Sequence, residues 1–579
     1  MSFERIVIEQ VAPVAEAGRY PAKTVVGEHL PVRAVVWRDG YPPVTVAVRW
    51  TAPDGKHTLI PMTEDPGEPD VWRADVVATA PGDWTFQVTA WTDGEVRQYE
   101  TAGTAYPVFA ERERAAFGAW YEVFPRSTGG RDAEGRPVHG TLRTAAEDLP
   151  RIAALGFDVV HLTPIHPIGR RERKGRGNSP VAGPGDPGCP WAIGAAEGGH
   201  DAIHPDLGDE ADFVAYADRA RELGLEVALE LAWQCAPDHP WLTEHPEWFT
   251  VRPDGTIACA ENPPRVWTDI HPLNFDNDPE GLYAELRRIV AYWAGLGVTA
   301  FRVDNPHTKP AGFWQRLIAD VKQAYPGVVF LAEAFTRPAV QQGLSRLGFD
   351  QTLTYFMWRE TKAELTAFGA DLVAGADFLR PNLFPSNHDV LPVHLHHQGP
   401  AMYAIRATLA ATLGPSWGIY SGYEICESEP AAPGRPVPAD AEKYELRPRD
   451  FEAARAAGRS AEDWITTLNR VRRAHPAWRS LRTLRFHPVD DDALIAYSKR
   501  DPETGGAVLC VVNLDPDGPR TGTVAVTPGD LGLGAGRLTD EISGQTLTWD
   551  GPLAVTLDPR QSVAALYRME MITEVQEQA

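Results

Sequence analysis

Cysteine is scarce in this chain, with five among 579 residues, at positions 189, 235, 259, 426 and 510. Their odd number and wide spacing exclude a disulfide framework and give no zinc-ligand spacing. Reduced thiols are expected, with no structural metal and no cofactor. Long apolar runs are missing as well. No stretch approaches ~18 uninterrupted apolar residues, which excludes a membrane-spanning helix. The first ten residues, Met-Ser-Phe-Glu-Arg-Ile-Val-Ile-Glu-Gln, lack a basic stretch followed by an apolar core, so a cytoplasmic location is the expectation. Basic charge is in deficit: 55 Lys and Arg stand against 79 Asp and Glu, a formal charge of −24. Nucleic acid and anionic membranes both reward clustered cations, so neither is an expected partner. Internal repeats and low-complexity linkers are also absent.

What is present is an ordinary globular composition, 43% hydrophobic and 23% charged, in a chain too long for one compact core. Two to four domains are expected. Trp (18) and Tyr (16) are plentiful, and an aromatic face can pack on the apolar C–H face of a pyranose, although most such rings serve a core.

Three alternating runs, Val44–Trp50, Val71–Val77 and Trp84–Trp91, are separated by Pro, Gly and Asp turns and predict a β-sandwich over residues 1–107. From Gly118 the pattern becomes strand and helix in alternation. Eight candidate strands follow: Ala119–Phe124, Val159–Pro164, Glu226–Leu231, Thr299–Asn305, Val328–Ala334, Gln351–Phe356, Pro381–Phe384 and Trp417–Tyr423. Helical stretches such as Leu142–Leu155, Glu210–Leu223 and Gly281–Leu296 lie between them. This predicts a central (β/α)8 barrel over residues 108–478, with long loops at 165–204 and 235–274 on its C-terminal face. Alternation returns in Ala493–Ser498, Ala507–Leu514 and Ser562–Tyr567, a C-terminal β-sandwich over 479–571 followed by a frayed polar tail, 572–579.

Two of the barrel strands end in carboxylates, Asp304 and Glu333, with one helical crossover between them. Parallel strands joined this way are neighbours, so both groups should emerge side by side where barrel enzymes do chemistry. Retaining glycosidases use such a pair about 5 Å apart, one attacking the anomeric carbon and the other protonating the leaving oxygen. The competing reading is that both are helix caps or salt-bridge partners. Arg302, two residues before Asp304, points to the same side of the barrel wall, where it would keep that carboxylate ionised and oriented. Glu333 has the apolar neighbours Ala332, Ala334 and Phe335, which favour a retained proton. Asn387-His388-Asp389 after the seventh strand offers a third carboxylate, able to grip ring hydroxyls as an oxocarbenium-like transition state forms.

Beyond these groups, the chain resembles the α-amylase superfamily (glycoside hydrolase family 13). More closely it resembles the GlgE-type bacterial maltosyltransferases, which extend α-1,4-glucans from maltose-1-phosphate. The resemblance rests on strings spread over most of the chain. They include Gly118-Ala-Trp-Tyr-Glu, Pro164-Ile-His-Pro-Ile-Gly, Arg173-Lys-Gly-Arg, Trp191-Ala-Ile-Gly, Glu197-Gly-Gly-His-Asp, Phe301-Arg-Val-Asp-Asn-Pro-His-Thr-Lys-Pro, Leu331-Ala-Glu-Ala-Phe-Thr-Arg-Pro and Trp417-Gly-Ile-Tyr-Ser-Gly-Tyr-Glu. It implies Asp304 as nucleophile, Glu333 as acid/base and Asp389 as transition-state stabiliser. It further implies a sugar-phosphate donor and an α-1,4-glucan acceptor. Lys174, Asn178 and Asn305 would serve the donor phosphate, and Arg302, His388, Gln234 and Cys189 would complete substrate binding. Cys189 also reads as a small buried residue beside the pocket.

Four departures from the family pattern stand out. Arg265 and Trp267 replace a family Lys and Tyr: Arg keeps a charge that can hold phosphate in two places, and Trp loses a hydroxyl. Asn387-His388-Asp389 replaces Thr-Pro-Asp and is the form of ordinary amylases. Glu230 stands where the superfamily has Asp beneath Arg302, an extra methylene that moves the carboxylate by about 1 Å. Finally, a helical segment of roughly one hundred residues between sandwich and barrel, which contributes to the family homodimer, is missing. The leading expectation is retaining transfer of maltosyl to the non-reducing end of α-1,4-glucans. The alternatives are an α-glucan hydrolase or transglycosidase, use of another glycosyl phosphate, and a non-catalytic glucan-binding protein.

Overall fold

A computed structural model of the protein describes residues 3–40, 43–92, 98–262, 265–534 and 536–571. The polar tail expected at 572–579 lies outside them, as does the side chain of Arg265. The N-terminal module packs a four-stranded sheet on a five-stranded one. Its strands alternate inward apolar and outward polar side chains, as His29–Arg38 does, and Trp50 and Trp84 stack in the core with ring centroids 4.8 Å apart. The last strand, Gln98–Glu111, runs through position 107 and leads into the barrel.

Eight parallel strands then close into a barrel: β1 (Gly118–Val123), β2 (Val159–Leu162), β3 (Glu226–Leu231), β4 (Val298–Asp304), β5 (Val329–Glu333), β6 (Gln351–Leu353), β7 (Pro381–Leu383) and β8 (Ser416–Tyr420). Their crossovers and closing helix are α1 (Leu142–Ala154), α2 (Glu210–Glu222), α3 (Pro279–Gly295), α4 (Ala311–Ala324), α5 (Pro338–Arg346), α6 (Lys362–Ala374), α7 (Pro400–Leu413) and α8 (Glu462–Ala474). Local chemistry starts them. Thr141, Asp209 and Thr361 close capping boxes at the heads of α1, α2 and α6, satisfying N–H groups the helix cannot. Seven of the eight strands end one to three residues before the candidate ranges do. Pro164 has no N–H for the ladder beyond Leu162; Phe384 follows β7 outside the ladder; Thr354 caps a short turn, Tyr355–Trp358; and Gly422 turns the chain at φ 99°.

The C-terminal module is a six-stranded antiparallel sheet with a further two-stranded ladder, Arg520–Val524 on Leu553–Leu557. Its inner face packs through Tyr497 and Cys510 on α7, where Thr412 meets the Tyr497 hydroxyl at 2.6 Å. Among the described residues, no helix is long and apolar enough to cross a membrane.

Candidate active site

The parallel register of β4 and β5 sets Asp304 directly opposite Glu333 at the C-terminal rim of the barrel. Arg302 lies below and between them. Its Nη1 donates to Asp304 Oδ1 at 3.1 Å and its Nη2 lies 3.9 Å from Glu333 Oε1. Asn305, in left-handed backbone at φ 44°, turns the chain so that its N–H donates to Glu333 Oε2 at 3.1 Å while its side-chain amide reaches Asp304 Oδ2 at 3.2 Å. Asn is one of the few residues that tolerates this conformation. Burial pushes the Glu333 carboxyl up to about 7; Arg302 opposes the shift and Asp304 adds to it. A firmly positioned carboxyl thus stands beside one that keeps its proton to near neutrality, a pairing suited to two-step displacement at an acetal carbon.

Across the mouth, Asp389 is held by two cations. Lys443 Nζ donates to its two oxygens at 2.9 and 3.1 Å, and His388 Nε2 lies 3.2 Å away. Despite desolvation, these cations hold the Asp389 carboxyl well below its usual range. Burial alone would lower the His388 pKa, but Glu122 and Asp389 on either side raise it to about 10. His388 stacks on Trp191 at 4.4 Å, and the Lys443 ammonium sits over the same indole, 4.6 Å from its centroid.

The other expected residues fall into two groups. Cys189, Trp191 and Trp267 share one apolar cluster with Phe124 and Tyr420, and Gln234 donates to the Trp191 carbonyl at 3.3 Å. Burial raises the Cys189 thiol to about 11, and Lys443 and Asp269 both act on it. Lys174 is buried and, with Lys443, acts on buried Asp269, whose pKa burial raises. Lys174 therefore shares the electrostatic neighbourhood of Lys443 and Asp389. Asn178 is exposed on the turn Arg176–Asn178, in left-handed backbone at φ 66°. Arg265 is described only in its backbone, which pairs with Asn262.

Several residues in the site have no signal in local periodicity. Glu122, His161 and Glu230 are buried, charged or polar, and on inward-facing strand positions; Lys309 donates to the carbonyls of Asp304 and Asn305 at 3.4 and 3.3 Å; Lys443 arrives on an irregular segment after β8. Inward ionisable residues on barrel strands are the one sequence feature that marks the first three.

Among the described residues, two clusters have metal-ligand residue types. In buried His200, Cys235 and His239, each imidazole nitrogen already has a protein partner: His200 Nε2 with the Ala232 carbonyl, His200 Nδ1 with His239 Nε2, and His239 Nδ1 with the Trp241 N–H. This is a completed hydrogen-bonded core. The second, His139, His204 and Asp206, lies where Arg126 and Arg173 act on both rings, a poor setting for a cation.

Residues 4–102 match the model for "Alpha-1,4-glucan:maltose-1-phosphate maltosyltransferase, domain N/S" and residues 486–569 the model for "GLGE, C-terminal". Relatives of that maltosyltransferase name from Mycolicibacterium smegmatis and Mycobacterium tuberculosis are each 46% identical over 98% of this chain, covering 97% and 96% of their own lengths. The chain belongs to the α-1,4-glucan:maltose-1-phosphate maltosyltransferase family. This family member is short: the alignment with the M. smegmatis relative spans 677 positions, about 100 more than the 579 residues here. The fold is also similar to that of solved α-amylases. One from Geobacillus thermoleovorans, complexed with acarbose, gives a TM-score of 0.61 at 18% identity, covering 79% of this chain and 99% of that one. One from Lactobacillus plantarum gives 0.57 at 23% identity, with the same coverage.

Proposed function

We propose that this protein transfers maltosyl from maltose-1-phosphate to the non-reducing end of an α-1,4-glucan, with retention, through a β-maltosyl ester on Asp304. The observation that carries the reading is the pairing of Asp304 with Glu333 over Arg302, in a chain with full-length relatives of that name. Asp304 attacks the anomeric carbon; its oxygen bonds to C1 as the bond from C1 to the phosphate oxygen breaks. Glu333 gives its proton to the departing phosphate. It then takes the proton from the acceptor hydroxyl, which attacks C1 and frees Asp304.

Phosphate departure calls for cationic help, and Lys174 and Asn305, with Arg265 and Asn178, are the groups we assign to it. Phe335, Tyr355 and Trp358 form a mutual ring cluster two residues beyond Glu333 and at the end of β6, and Trp358 is partly exposed. That cluster is the platform we assign to the acceptor glucan. His388 beside Asp389 favours a second reading, in which water or a free sugar resolves the ester, as in an amylase-like hydrolase or transglycosidase. The assembly we propose is a homodimer, built without the family's extra segment.

The ester is directly testable. A Glu333→Gln variant treated with α-maltosyl fluoride, whose leaving group needs no proton, should carry one maltosyl group on the peptide containing Asp304, read by mass spectrometry. Modification on another residue would contradict the assignment.

A further inference from the structure

The barrel interior beneath the paired carboxylates is polar, where a parallel barrel is ordinarily filled by branched apolar side chains. Glu122 on β1, His161 on β2, Glu230 on β3 and Arg302 on β4 are all buried there. Glu230 is the branching point. Its Oε1 accepts from Arg302 and, at 3.1 Å, from the indole N–H of Trp191; its Oε2 meets His161 Nε2 at 2.9 Å. His161 Nδ1 in turn lies 3.8 Å from Glu122 Oε2, and Glu122 Oε1 meets His388 at 2.5 Å. Trp191 closes the ring by stacking on His388.

The supports of Asp304 and of Asp389 thus meet at one carboxylate. A carboxylate needs only one oxygen to hold Arg302. Glu230 uses both, and all three of its partners are themselves buried. We propose that Glu230 and His161 form a positioning pair for Asp304: the added methylene of Glu over Asp lets one carboxylate hold Arg302, Trp191 and His161 together, and His161 fixes its rotation. The inference rests on Asp304 being the nucleophile. Without His161, Glu230 Oε2 is left buried and unpaired, and the carboxylate turns to seek another donor, taking Arg302 with it. With Asp at 230, the carboxylate retreats by about 1 Å and the three contacts cannot coexist.

Fluoride release from α-maltosyl fluoride tests this, because the step needs neither a phosphate site nor a proton from Glu333: the Asp304 oxygen bonds to C1 as the C–F bond breaks and fluoride leaves. Glu230→Asp and His161→Phe should each lower kcat by about tenfold to a hundredfold. KM should stay within about twofold, because substrate contacts are untouched. The double variant should be no slower than the slower single one. His161→Gln, whose amide places a donor where Nε2 was, should recover most of the rate; a residue that only fills volume would be replaced better by Phe. Wild-type rates in Glu230→Asp, or strictly additive losses, would overturn the positioning pair. Glu230→Asp decides alone if His161→Phe does not fold. Asp304→Ala separates the two ideas. If it releases fluoride normally, or if the wild-type protein releases none, the nucleophile reading itself fails; if it is silent while Glu230→Asp is normal, only the pair fails.

Discussion

Glu333 sits near the middle of its own titration at neutral pH, because burial raises its pKa to about 7 against the pull of Arg302. As the proton donor to phosphate it must be protonated, so the maltosylation rate with maltose-1-phosphate should fall as pH rises through about 7. The rate with maltosyl fluoride should not follow that limb. Glu333→Gln should lower kcat with the phosphate donor by about 10²–10⁴-fold and abolish the limb. The same shift bears on stability. A carboxyl whose folded pKa is raised contributes stability that is fully present below its unfolded value, near 4.5, and is lost as pH rises through about 7. Thermal melts should therefore show Glu333→Gln gaining on the wild type across that window and holding the gain above it.

At the scale of elements, the site is one pair of strands plus segments brought to it. The strands were legible: β4 and β5 are apolar runs ending in carboxylates around an amphipathic helix, and periodicity reports that pattern well. The polar belt was not, because period-two alternation separates the two faces of a strand and does not say which inward positions hold charge. In the sequence Glu230 stands out only as a departure from Asp, and His161 is a single polar residue within an apolar run. Lys443 was out of reach for another reason. It lies 54 residues beyond Asp389 in a segment without periodicity, and only tertiary contacts bring it back. Those contacts can be named. Glu442, fully buried, takes the Tyr420 hydroxyl and Arg449 Nη2, the latter at 2.9 Å, while Arg126 Nη2 donates to the Glu442 carbonyl at 2.7 Å. Glu442→Ala leaves a buried guanidinium short of one partner and should cost about 3 kcal/mol in chemical denaturation. It should also raise donor KM, since Lys443 loses its anchor; unchanged KM would mean the segment is held by other contacts.

Across the whole molecule, charged groups tie the modules to the barrel. Lys322 on α4 pairs with Glu111 from the last strand of the N-terminal sheet and, at 2.6 Å, with Asp350 in the barrel. Arg482, beyond α8, reaches Glu28 at 3.3 Å and the carbonyls of Lys23 and Ala376, each at 3.1 Å. Burial already pushes Glu111 up to about 8, with Asp350 adding to it and Lys322 opposing. Lys322→Ala would leave two buried acids facing each other, so it should lower stability by about 3 kcal/mol and separate the single calorimetric transition expected of the intact protein into two. A lone, undisturbed transition would show that the ion pairs do not couple the modules.

Every role assigned to these residues depends on maltosyl transfer from a phosphate donor. Incubating the protein with maltose-1-phosphate and a maltooligosaccharide, while following inorganic phosphate and chain length together, reads that transfer in one experiment. Phosphate should be released in step with chains that lengthen two glucose units at a time. Shortened or disproportionated chains with no phosphate released would contradict that transfer and favour the amylase-like reading.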